Sequence, residues 1–533
     1  MPMLSLRASL PALAALLIPS TFCAAQPPQW PLERTGGPDL IVGTVFDARV
    51  YEPQVRNSEA WRAVAIGTDA WNIGDRPVDW DTTTSHHAVI VQGLYRGSGL
   101  RFEQLGMSWA KHVVVAANLP SDPSYGPCIN PGDFAHLGVN CADLYSSAQN
   151  GAQGGLGPRY DVNPTTGAFT TPYASLAPPV QSGDALARRV AARESDLLTA
   201  SNPEAAYYAE TAIYSPDDAG WGNGRNNTSV RLLSPFNSLP TTAQGVGFAG
   251  PSYRTTALEY WAWATPGVVA TSAEIHERDA VVVDRWVPYA PGDSTAVARP
   301  QSQWTSVTRH LRTRFVAAGS ATDNGDGTWT YRYAVQNVNS HRAGSAFSVH
   351  VPAGGAVTGM VFHAPLYHSG DRVRNVPWAS QVAGGRLTWR MDDATEQVTL
   401  PTVGTVTFEP NALRFATVYS FEARIAAPPR SGTAHLSLWR PPADGAGFQS
   451  NELALTGLPV PRSCAADLGG PGGASTPDGR LDNNDFIAFI GAYFVGDLND
   501  ADLGMHGGVS VPDNRLDNND FIAFVGAFFD GCE

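Results

Sequence analysis

The sequence has few charged residues and lacks the short motifs that identify several common enzyme classes. Charged residues make up only 16% of the 533 positions, against 43% hydrophobic residues. The sequence contains no His-Glu-x-x-His zinc motif, no Gly-x-Ser-x-Gly nucleophile turn and no phosphate-binding glycine loop. Beyond the first 25 residues it has no apolar stretch long enough to span a bilayer. These absences argue against a zincin protease, an α/β-hydrolase, a P-loop enzyme and an integral membrane helix.

The charge balance is acidic, with 49 Asp and Glu residues against 35 Lys and Arg residues and a formal net charge of -14. The phosphates of nucleic acids repel such a chain, so we expect no nucleic-acid partner. The length allows two or three domains, and 53 glycines and 41 prolines favour short strands joined by turns. We therefore predict a mainly β fold with few long helices.

The N-terminus has the features of a secretory signal peptide. Arg7 precedes an apolar stretch from Leu10 to Pro19, and two small residues end the segment at position 25. Acylation at Cys23 is the alternative, but the bulky Phe22 stands where lipoprotein signals have a small residue. We therefore expect residues 1–25 to be removed and the mature protein to be secreted and associated with the cell surface.

Four cysteines remain in the mature chain, and an even number in an exported protein favours disulfides. Pairing of neighbours joins Cys128 to Cys141 and Cys464 to Cys532. The other two pairings stay open, because sequence alone does not give the connectivity.

The body of the chain consists of short apolar or alternating runs bounded by Gly, Pro, Asn or Asp, which is typical of an all-β protein. We predict a β-rich domain that is rich in His and Trp over residues 26–300. A β-sandwich of immunoglobulin-like type is predicted over residues 301–440. No clear linker separates the two parts, so we expect them to pack as one continuous β-rich unit. Residues 441–463 fit a linker. The one convincing helical stretch in the body is Ala185–Leu198.

The C-terminal tail, residues 464–533, contains a tandem repeat. Residues 467–494 and 502–529 match at 21 of 28 positions with an offset of 35 residues. In each unit, carboxylates precede a segment whose apolar residues have helical spacing. Ca²⁺ takes six to eight oxygen ligands, and a short acidic loop that turns around a glycine supplies them. The tail therefore predicts two calcium loops, each followed by a helix, with Ca²⁺ as the cofactor.

The calcium ligands follow from counting back from the start of each helix. In the first loop they are Asp467, Asp478, the Arg480 carbonyl, Asp482 and Asp485, with Gly479 at the turn. In the second loop they are Asp502, Asp513, the Arg515 carbonyl, Asp517 and Asp520, with Asn514 at the turn. The first ligand lies 11 residues before the next, where a standard loop has four. We therefore expect the Gly-rich stretch between them to bulge out, and the third ligand is unassigned.

This pattern resembles the dockerin family, in particular the variant called GC-type that ends many exported bacterial proteins. The resemblance covers residues 464–533 and rests on spacing, duplication and the flanking cysteines. It implies a helical module with two EF-hand-like calcium loops that binds a cohesin-like or other surface protein. It also implies that the residue pair before the last ligand contacts the partner, here Asn483-Asn484 and Asn518-Asn519. The alternative is that the loops bind calcium only to keep the tail folded.

Clustered His and acidic residues in the body predict further sites. Neutral imidazole suits copper, zinc or iron, and the candidate transition-metal ligands are His87, His112, His136 and Asp143. A second, weaker metal candidate comprises His363, His368 and Asp371. The alternative is that each His hydrogen-bonds a neighbouring carbonyl. A glycosidase needs two carboxylates across a sugar, and the candidates are Glu204, Glu210, Asp217 and Asp218.

The stretch from Leu94 to His112, followed by residues 136–169, resembles a group of exported bacterial proteins with no assigned function. The motif positions correspond to His87, Trp109, His112, Cys141, Asp143, Asn150 and Gly151. The resemblance covers most of residues 39–428. It implies a shared site in the first half of the body, but it supplies no reaction.

Two hypotheses for the function follow. The first is an extracellular enzyme, either metal-dependent or acting on a polysaccharide, that the tail attaches to a surface or complex. The second is a non-catalytic adhesive or glycan-binding protein displayed through the tail. In this second case Trp221, Trp261 and Trp263 are candidates for stacking on sugar rings, with burial in the core as the alternative.

Overall fold

The protein is described here from a computed structural model. The residues described are 29–30, 36–171, 180, 183–352, 355–400, 404–442, 450–461, 466–470, 472–475, 481–505, 513 and 515–530. The predicted signal peptide lies outside these residues, as do Cys464, Asp478, Arg480 and Cys532.

The first part of the body contains two antiparallel sheets. Its strands are β1 (Leu40–Val50), β2 (Gln54–Arg56), β3 (Glu59–Asn72), β4 (Val78–Asp79), β5 (Val89–Ser98), β6 (Arg101–Met107), β7 (Ala110–His112), β8 (Leu119–Pro120), β9 (His136–Leu137), β10 (Cys141–Tyr145), β11 (Leu156–Gly157), β12 (Val190–Arg193), β13 (Ala206–Tyr214), β14 (Thr228–Leu233), β15 (Gln244–Val246) and β16 (Phe248–Tyr253). One sheet has the order β15-β1-β3-β10-β8, with β2 and β12 also paired to β3. The other has the order β11-β7-β5-β13-β14-β16, with β6 paired to β5. β4 and β9 form a separate pair.

The long central strands of these sheets bury a common core. Ile66 of β3, Ile90 and Leu94 of β5, and Ile213 of β13 have no exposed surface and belong to one cluster. β3 and β13 are buried along nearly their whole length, on both faces. A strand buried on both faces has no solvated side, so every polar group on it requires a partner inside the protein.

The second part of the body is a pair of antiparallel sheets around one aromatic core. Its strands are β17 (Val269–Asp284), β18 (Thr305–Asp323), β19 (Trp329–Asn337), β20 (Gly344–His350), β21 (Val357–His363), β22 (Ala379–Ala383), β23 (Arg386–Arg390), β24 (Glu396–Leu400), β25 (Gly404–Phe408), β26 (Thr417–Ile425), β27 (Pro429–Leu438) and β28 (Glu452–Pro461). The two sheets have the orders β17-β18-β19-β26-β21 and β22-β23-β20-β27-β28, and β24 pairs with β25. Phe347 and Trp389 from one sheet pack on Phe421 from the other. The predicted mainly β body is therefore confirmed, while its immunoglobulin-like type stays a prediction.

The two parts of the body are continuous. β17 and β18 form a long antiparallel hairpin, in which Val269 pairs with Gly319 at one end and Asp284 pairs with Thr305 at the other. The boundary predicted at residue 300 therefore falls in the connection of this single hairpin. Gln104 of β6 accepts a hydrogen bond from the backbone N–H of Val418 in β26 at 2.8 Å. Phe102 also belongs to a core cluster that includes Val418. The hydrophobic contacts and hydrogen bonds thus cross the predicted domain boundary.

The helix predicted over Ala185–Leu198 is largely absent. Residues 190–193 form β12, which pairs with β3, and only α2 (Glu194–Leu197) is helical. Val190 is fully buried by this pairing, so tertiary burial outweighs the local helical preference. The body's other helices are α1 (Ser147–Asn150), α3 (Pro216–Gly220) and α4 (Ala257–Ala264), and 3₁₀ turns occur at Pro123–Tyr125, Gln153–Gly155, Arg159–Asp161 and Gln301–Gln303.

The described part of the tail contains the helices α5 (Asn483–Val495), α6 (Leu498–Ala501) and α7 (Asn518–Asp530). α5 begins with a capping box formed by Asp482 and Asp485. It ends at Gly496, whose φ of 79° lies in the left-handed region that glycine adopts without strain. Phe489 of α5 and Phe524 of α7 stack with ring centroids 4.2 Å apart, and they form the centre of a separate core.

Cys128 and Cys141 form a disulfide, as the pairing of neighbours predicted. None of the helices described is long and apolar enough to cross a membrane.

Candidate functional site

Each unit of the tail is built around one fully buried carboxylate. Asp485 accepts three backbone hydrogen bonds, from Leu468 and Gly469 at 2.8 Å and from Asp482 at 2.7 Å. Asp520 accepts the equivalent three, from Leu503 and Gly504 at 2.8 Å and from Asp517 at 2.7 Å. An ionised carboxylate offers about four lone-pair positions, so the protein itself uses most of the capacity of each group. The geometry ties the start of each helix to the start of its own loop.

The other predicted calcium ligands surround these two groups. Asp467 and Asp502 are buried, and Asp502 accepts a hydrogen bond from the backbone N–H of Asp513 at 3.0 Å. Asp482 and Asp517 are exposed and cap the first turns of α5 and α7. Arg515 is exposed, and its N–H donates to Asp513 at 3.1 Å. Among the tail residues that the structure describes, no three carboxylates have oxygen atoms within 4.8 Å of one another.

The predicted partner-binding residues lie at the starts of the two long tail helices. Asn483 and Asn518 are exposed, and Asn484 and Asn519 are half-buried. Next to them, α5 exposes 38% of Phe486 and 50% of Ile487, and α7 exposes 38% of Phe521 and 55% of Ile522. We call Asn483, Phe486 and Ile487 the α5 face, and Asn518, Phe521 and Ile522 the α7 face. The duplication thus presents one set of side chains twice.

In the body, the structure brings together two of the four predicted transition-metal ligands. His87 Nε2 lies 2.8 Å from His112 Nδ1, and Phe169 packs against both rings at 4.8 Å. His87 Nδ1 lies 2.9 Å from the carbonyl oxygen of Thr84. Burial lowers the pKa of both imidazoles, and for His112 the charges of His87 and Lys111 lower the pKa further. The two rings are therefore neutral and bonded to each other.

The other two predicted ligands have separate partners. Asp143 Oδ2 accepts hydrogen bonds from the Tyr145 hydroxyl at 2.6 Å and from the Trp80 indole at 3.0 Å. His136 Nδ1 lies 2.9 Å from Asp133, and its Nε2 lies 3.3 Å from Asp79. Within the described residues, His87, His112, His136 and Asp143 do not form a group of three ligands. This corrects the predicted transition-metal site: its members satisfy local hydrogen bonds.

Sequence reasoning missed Lys111, the only lysine of the chain. It is 4% exposed, lies over the Tyr145 ring at 5.5 Å, and donates to the carbonyl of His112. Burial lowers the pKa of Lys111 to about 8, and the charge of Asp143 limits that shift. A lone lysine within the apolar run Trp109–Val115 was the signal that could have indicated a buried amine.

A partly exposed polar cluster includes Asp217, one of the predicted acids. Asp217 Oδ2 accepts a hydrogen bond from the backbone N–H of Asp79 at 2.8 Å. Arg285 Nη2 lies 2.7 Å from Asp79 and 3.5 Å from Asp217. Burial and the charge of Asp79 raise the pKa of Asp217 to about 6. Burial opposes ionisation of Asp79 too, but the His136 hydrogen bond and the Arg285 charge outweigh it and lower its pKa.

The other three acids predicted as glycosidase candidates, Glu204, Glu210 and Asp218, do not pair with one another. Glu210 is buried, and its oxygens accept hydrogen bonds from the Ala257 N–H at 2.6 Å and the Tyr95 hydroxyl at 2.8 Å. Asp218 is also buried and accepts from the Leu40 N–H and the Asn227 amide, at 2.8 Å and 2.6 Å. Glu204 is exposed. Glu210 and Asp218 thus serve as internal acceptors that join strands distant in sequence.

The second metal candidate is not assembled either. His363 Nε2 lies 3.2 Å from the Gln104 carbonyl oxygen. His368 and Asp371 are buried, and burial lowers the pKa of His368 to about 3 and raises that of Asp371. These three residues do not form a ligand group among those described.

Of the three tryptophans considered for sugar stacking, Trp221 and Trp261 are buried and Trp263 is 42% exposed. Trp221 lies between the guanidinium groups of Arg76 and Arg309, at 4.7 and 4.6 Å. Trp221 therefore packs inside the protein, and only Trp263 is accessible to a sugar ring.

The remaining motif positions of the body resemblance have structural contacts. Trp109 is buried beneath the guanidinium of Arg188, and Asn150 donates to the Ile66 carbonyl at 2.9 Å. A Cβ on Gly151 would meet the Tyr51 hydroxyl at 2.2 Å, so only glycine fits there. The contacts of Asn150 and Gly151 hold α1 against β3, and packing accounts for all three positions.

Comparisons with known proteins assign no family. No family model matches the chain, and no curated protein matches it. Among solved structures, a protein from Corynebacterium diphtheriae described as membrane anchored aligns over 79% of this chain and 96% of its own. The identity is 9% and the TM-score 0.11, which is too low to support an argument about fold or function.

Proposed function

We propose that this chain is an exported protein whose tail, a dockerin-like calcium-binding module, attaches it to a surface or complex partner. The observation that carries the proposal is the internal symmetry of the tail. Phe486 contacts Phe524 at 5.9 Å, and Phe489 contacts Phe521 at 6.1 Å, so equivalent rings cross between α5 and α7 in both directions. The two units therefore pack as matching halves of one module.

The α5 face and the α7 face are the proposed docking surfaces. The tail core uses the side of each helix on which Phe489 and Phe524 are fully buried, and Ile487 and Ile522 point away from that side. Ile487 and Ile522 are not among the residues of that core, while Phe486 and Phe521 touch its rings with one edge and expose the rest. An exposed apolar patch beside polar groups is typical of a binding surface. The proposed occupant is a cohesin-like protein with an apolar surface and hydrogen-bonding groups for the Asn side chains.

Calcium fits the donor set of the tail, because its loops offer carboxylates and carbonyls and no imidazole or thiolate among the assigned ligands. Asp485 and Asp520 would each keep one lone-pair position for the ion after their three backbone bonds. The exposed carboxylates of Asp482 and Asp517 would have to move toward the buried groups. Calcium binding would then stabilise the first turns of α5 and α7, because ligation and folding are coupled.

Calorimetric titration of the full chain with Ca²⁺ tests the cofactor. We expect two bound ions per chain, and we expect Asp482→Asn with Asp517→Asn to weaken both sites at least tenfold. Asp323→Asn with Asp393→Asn, two exposed acids of the body, is the matched control and should bind as the wild type does. Absence of calcium binding to the wild-type chain would contradict the proposed module.

Binding of the full chain to immobilised cohesin-like domains tests the partner. Ile487→Lys with Ile522→Lys places a charge on both proposed faces and should abolish capture without changing calcium binding. Val55→Lys with Val382→Lys alters two exposed apolar residues of the body and is the control. Equal capture by both double variants would show that the partner does not use these faces.

A second candidate function, an enzyme acting on a polysaccharide, rests on the Asp79–Asp217 cluster. Glycoside hydrolysis requires one protonated and one ionised carboxyl group, and the opposite pKa shifts of these two neighbours meet that requirement. Arg285 contacts both groups and would hold them in place.

Incubation with soluble polysaccharides and analysis of released reducing ends tests this candidate. Asp217→Asn should abolish release at every pH, whereas Asp133→Asn, which changes an exposed neighbour, should retain it. Binding of a glycan without release in the wild type would favour the alternative of a non-catalytic, glycan-binding surface protein.

A further inference from the structure

An exposed group of two imidazoles and one carboxylate lies on the β17–β18 hairpin. His276 Nε2 is 2.8 Å from Asp279 Oδ1, and His310 Nδ1 is 2.6 Å from the same oxygen. One ligand atom from each of the three residues lies within 4.8 Å of the other two, and the two rings are 5.1 Å apart. The side chains are 47%, 53% and 63% exposed for His276, Asp279 and His310. All three are therefore open to an ion from solvent.

A β-bulge creates this group. His276 and Asp279 are three residues apart, so in a regular strand their side chains would point to opposite faces. The pairing register shifts between His276 and Arg278, where β17 pairs His276 with Arg312 and then Arg278 with Leu311. The alternation of exposed residues changes phase at the same point. The extra residue, Glu277, thus puts His276 and Asp279 on one face.

Cross-strand pairing supplies the third member. Asp279 pairs directly with His310 of β18, and residues directly opposite each other share a face. His276 lies diagonal to His310 across the same pair of strands. Two strands and one bulge therefore direct three potential ligands to one point on the surface.

The bulge is held in place from the buried side. Glu277 is 3% exposed, and its Oε1 accepts hydrogen bonds from the Thr313 hydroxyl at 2.6 Å and the Ser340 hydroxyl at 2.9 Å. A buried carboxylate with these partners fixes the position of the extra residue. The positions of the ligands thus depend on the protein core, although the ligands themselves are exposed.

We propose that His276, Asp279 and His310 form a binding site for a divalent transition-metal ion, zinc or copper. Imidazole nitrogens and a carboxylate are ligands that these ions prefer, and Ca²⁺ or Mg²⁺ would require more oxygen ligands. Three protein ligands leave at least one coordination position for water or for an anionic group of another molecule. His276 Nε2 and His310 Nδ1 both contact Asp279 Oδ1. A small change in the side-chain torsions would separate these three atoms enough to admit the ion. This inference is independent of the function proposed for the tail.

The charges nearby are compatible with a cation at this point. Arg312, the cross-strand neighbour of His276, extends toward Glu274, with 3.6 Å between Arg312 Nη1 and Glu274 Oε2. Hydrogen bonds from His310 and His276 lower the pKa of Asp279, so its carboxylate is ionised at neutral pH. The carboxylate supplies the negative charge that a divalent ion requires.

Titration of the full chain with Zn²⁺, in buffer that contains excess Ca²⁺ to occupy the tail, tests the site. We expect Zn²⁺ binding that His276→Ala and His310→Ala each weaken at least tenfold. Asp279→Asn should weaken it less, because the amide oxygen keeps a weak ligand. His435→Ala is the matched control, because His435 also pairs with a carboxylate across a hairpin, at 2.9 Å from Glu452, but belongs to no group of three potential ligands among the described residues. It should leave the affinity unchanged.

Electron paramagnetic resonance of the Cu²⁺-loaded chain gives a second readout. We expect coupling to two imidazole nitrogens in the wild type and to one in either histidine variant. All three ligands are exposed, so the variants should keep the thermal stability of the metal-free wild type. Zn²⁺ and Cu²⁺ binding that is unchanged in both His276→Ala and His310→Ala would overturn the proposal, as would absence of binding to the wild type.

Discussion

The body and the tail use buried polar groups in opposite ways. In the body, the buried groups that connect its sheets have partners distant in sequence: Glu210 bonds Gln336 across 126 residues, and Arg76 bonds Asp284 across 208. In the tail, Asp485 and Asp520 reach back only 17 residues to the start of their own unit. A polar residue in the body therefore joins sheets, whereas one in the tail closes a local loop. A loop closed by a residue nearby in the chain leaves a recognisable spacing in the sequence. A contact between sheets whose strands are distant in sequence leaves no such spacing.

The largest effect in this comparison of body and tail is expected from removal of Asp485 and Asp520, the two buried carboxylates that close the tail loops. Asp485→Ala with Asp520→Ala leaves three backbone N–H groups without an acceptor in each unit, two of them buried and one partly buried. We expect a loss of about 3 kcal/mol per unit, because each orphaned donor costs a large part of its desolvation energy. Limited proteolysis of the full chain should then cut the tail and spare the body.

Asp482→Ala is the matched control for the first unit. Asp482 is exposed and caps α5 through the Asn484 N–H at 2.7 Å, so its loss should cost only about 1 kcal/mol. Protection of the tail in the double variant would mean that the buried carboxylates do not hold the loops closed.

The second test concerns the histidine pair of the body. His112→Ala removes a buried ring and leaves His87 Nε2 without its partner 2.8 Å away. We expect a loss of about 3 kcal/mol in the unfolding of the body, since a cavity and an unsatisfied polar atom are both created. Denaturant unfolding monitored by tryptophan fluorescence measures it.

His136→Ala is the control for this pair. His136 is partly exposed, with 26% of its side chain accessible. Of its two carboxylate partners, Asp133 is 44% accessible, and the buried Asp79 keeps Arg285 at 2.7 Å when His136 is removed. The cost should therefore be about 1 kcal/mol or less. Equal losses for the two variants would contradict the structural role assigned to His112.

The positions of the tail helices could be predicted from the sequence, whereas the contacts of the body's polar residues could not, for a physical reason. Repetition at an offset of 35 residues and helical spacing are local signals, and they placed α5 and α7 close to where the structure has them. His136 and Asp143, by contrast, are only seven residues apart in sequence, yet they bond different partners, because β9 and β10 pair with different strands. Pairing between strands, which sequence proximity does not reveal, decides which polar residues meet.

The dependence of contacts on strand pairing also explains why the sequence did not indicate some of the clustered residues. Asp79 and Arg285 lie 206 residues apart and meet only because the β17–β18 hairpin returns to the first part of the body. The bulge at Glu277 breaks the alternation by which a strand is recognised, and in a regular strand the three-residue spacing of His276 and Asp279 would put them on opposite faces. The predicted β class did not depend on such pairings, and it is confirmed.

The third test uses pH to examine the cluster of Asp79, Asp217 and Arg285, whose members are distant in sequence. The folded-state pKa of Asp217 is raised to about 6, so the folded protein holds a proton there more firmly than the unfolded chain. Stability contributed by this proton is present at low pH and is lost as pH rises through 6. Asn cannot ionise, so Asp217→Asn should gain about 2 kcal/mol over wild type between pH 4 and pH 7. Urea unfolding at the two pH values measures the difference.

Asp79→Asn should show the opposite sign. The pKa of Asp79 is lowered, so its ionised form stabilises the folded state at neutral pH, and that contribution disappears as pH falls below the folded-state value. The variant should therefore be less stable than wild type at pH 7 and closer to it at low pH. A change in unfolding free energy of the same sign in both variants would show that the pKa values of Asp79 and Asp217 are not shifted in opposite directions.

The smallest expected effect distinguishes one docking face from two. If the α5 face and the α7 face bind the same partner equally well, Ile487→Lys removes one of two equivalent modes and leaves the other. The affinity should then fall only about twofold, which corresponds to about 0.4 kcal/mol, and Ile522→Lys should give the same value. The double variant should lose binding altogether, so the two changes are strongly non-additive. Surface plasmon resonance against the partner measures all three, and a large loss from one single variant alone would show that only that face binds.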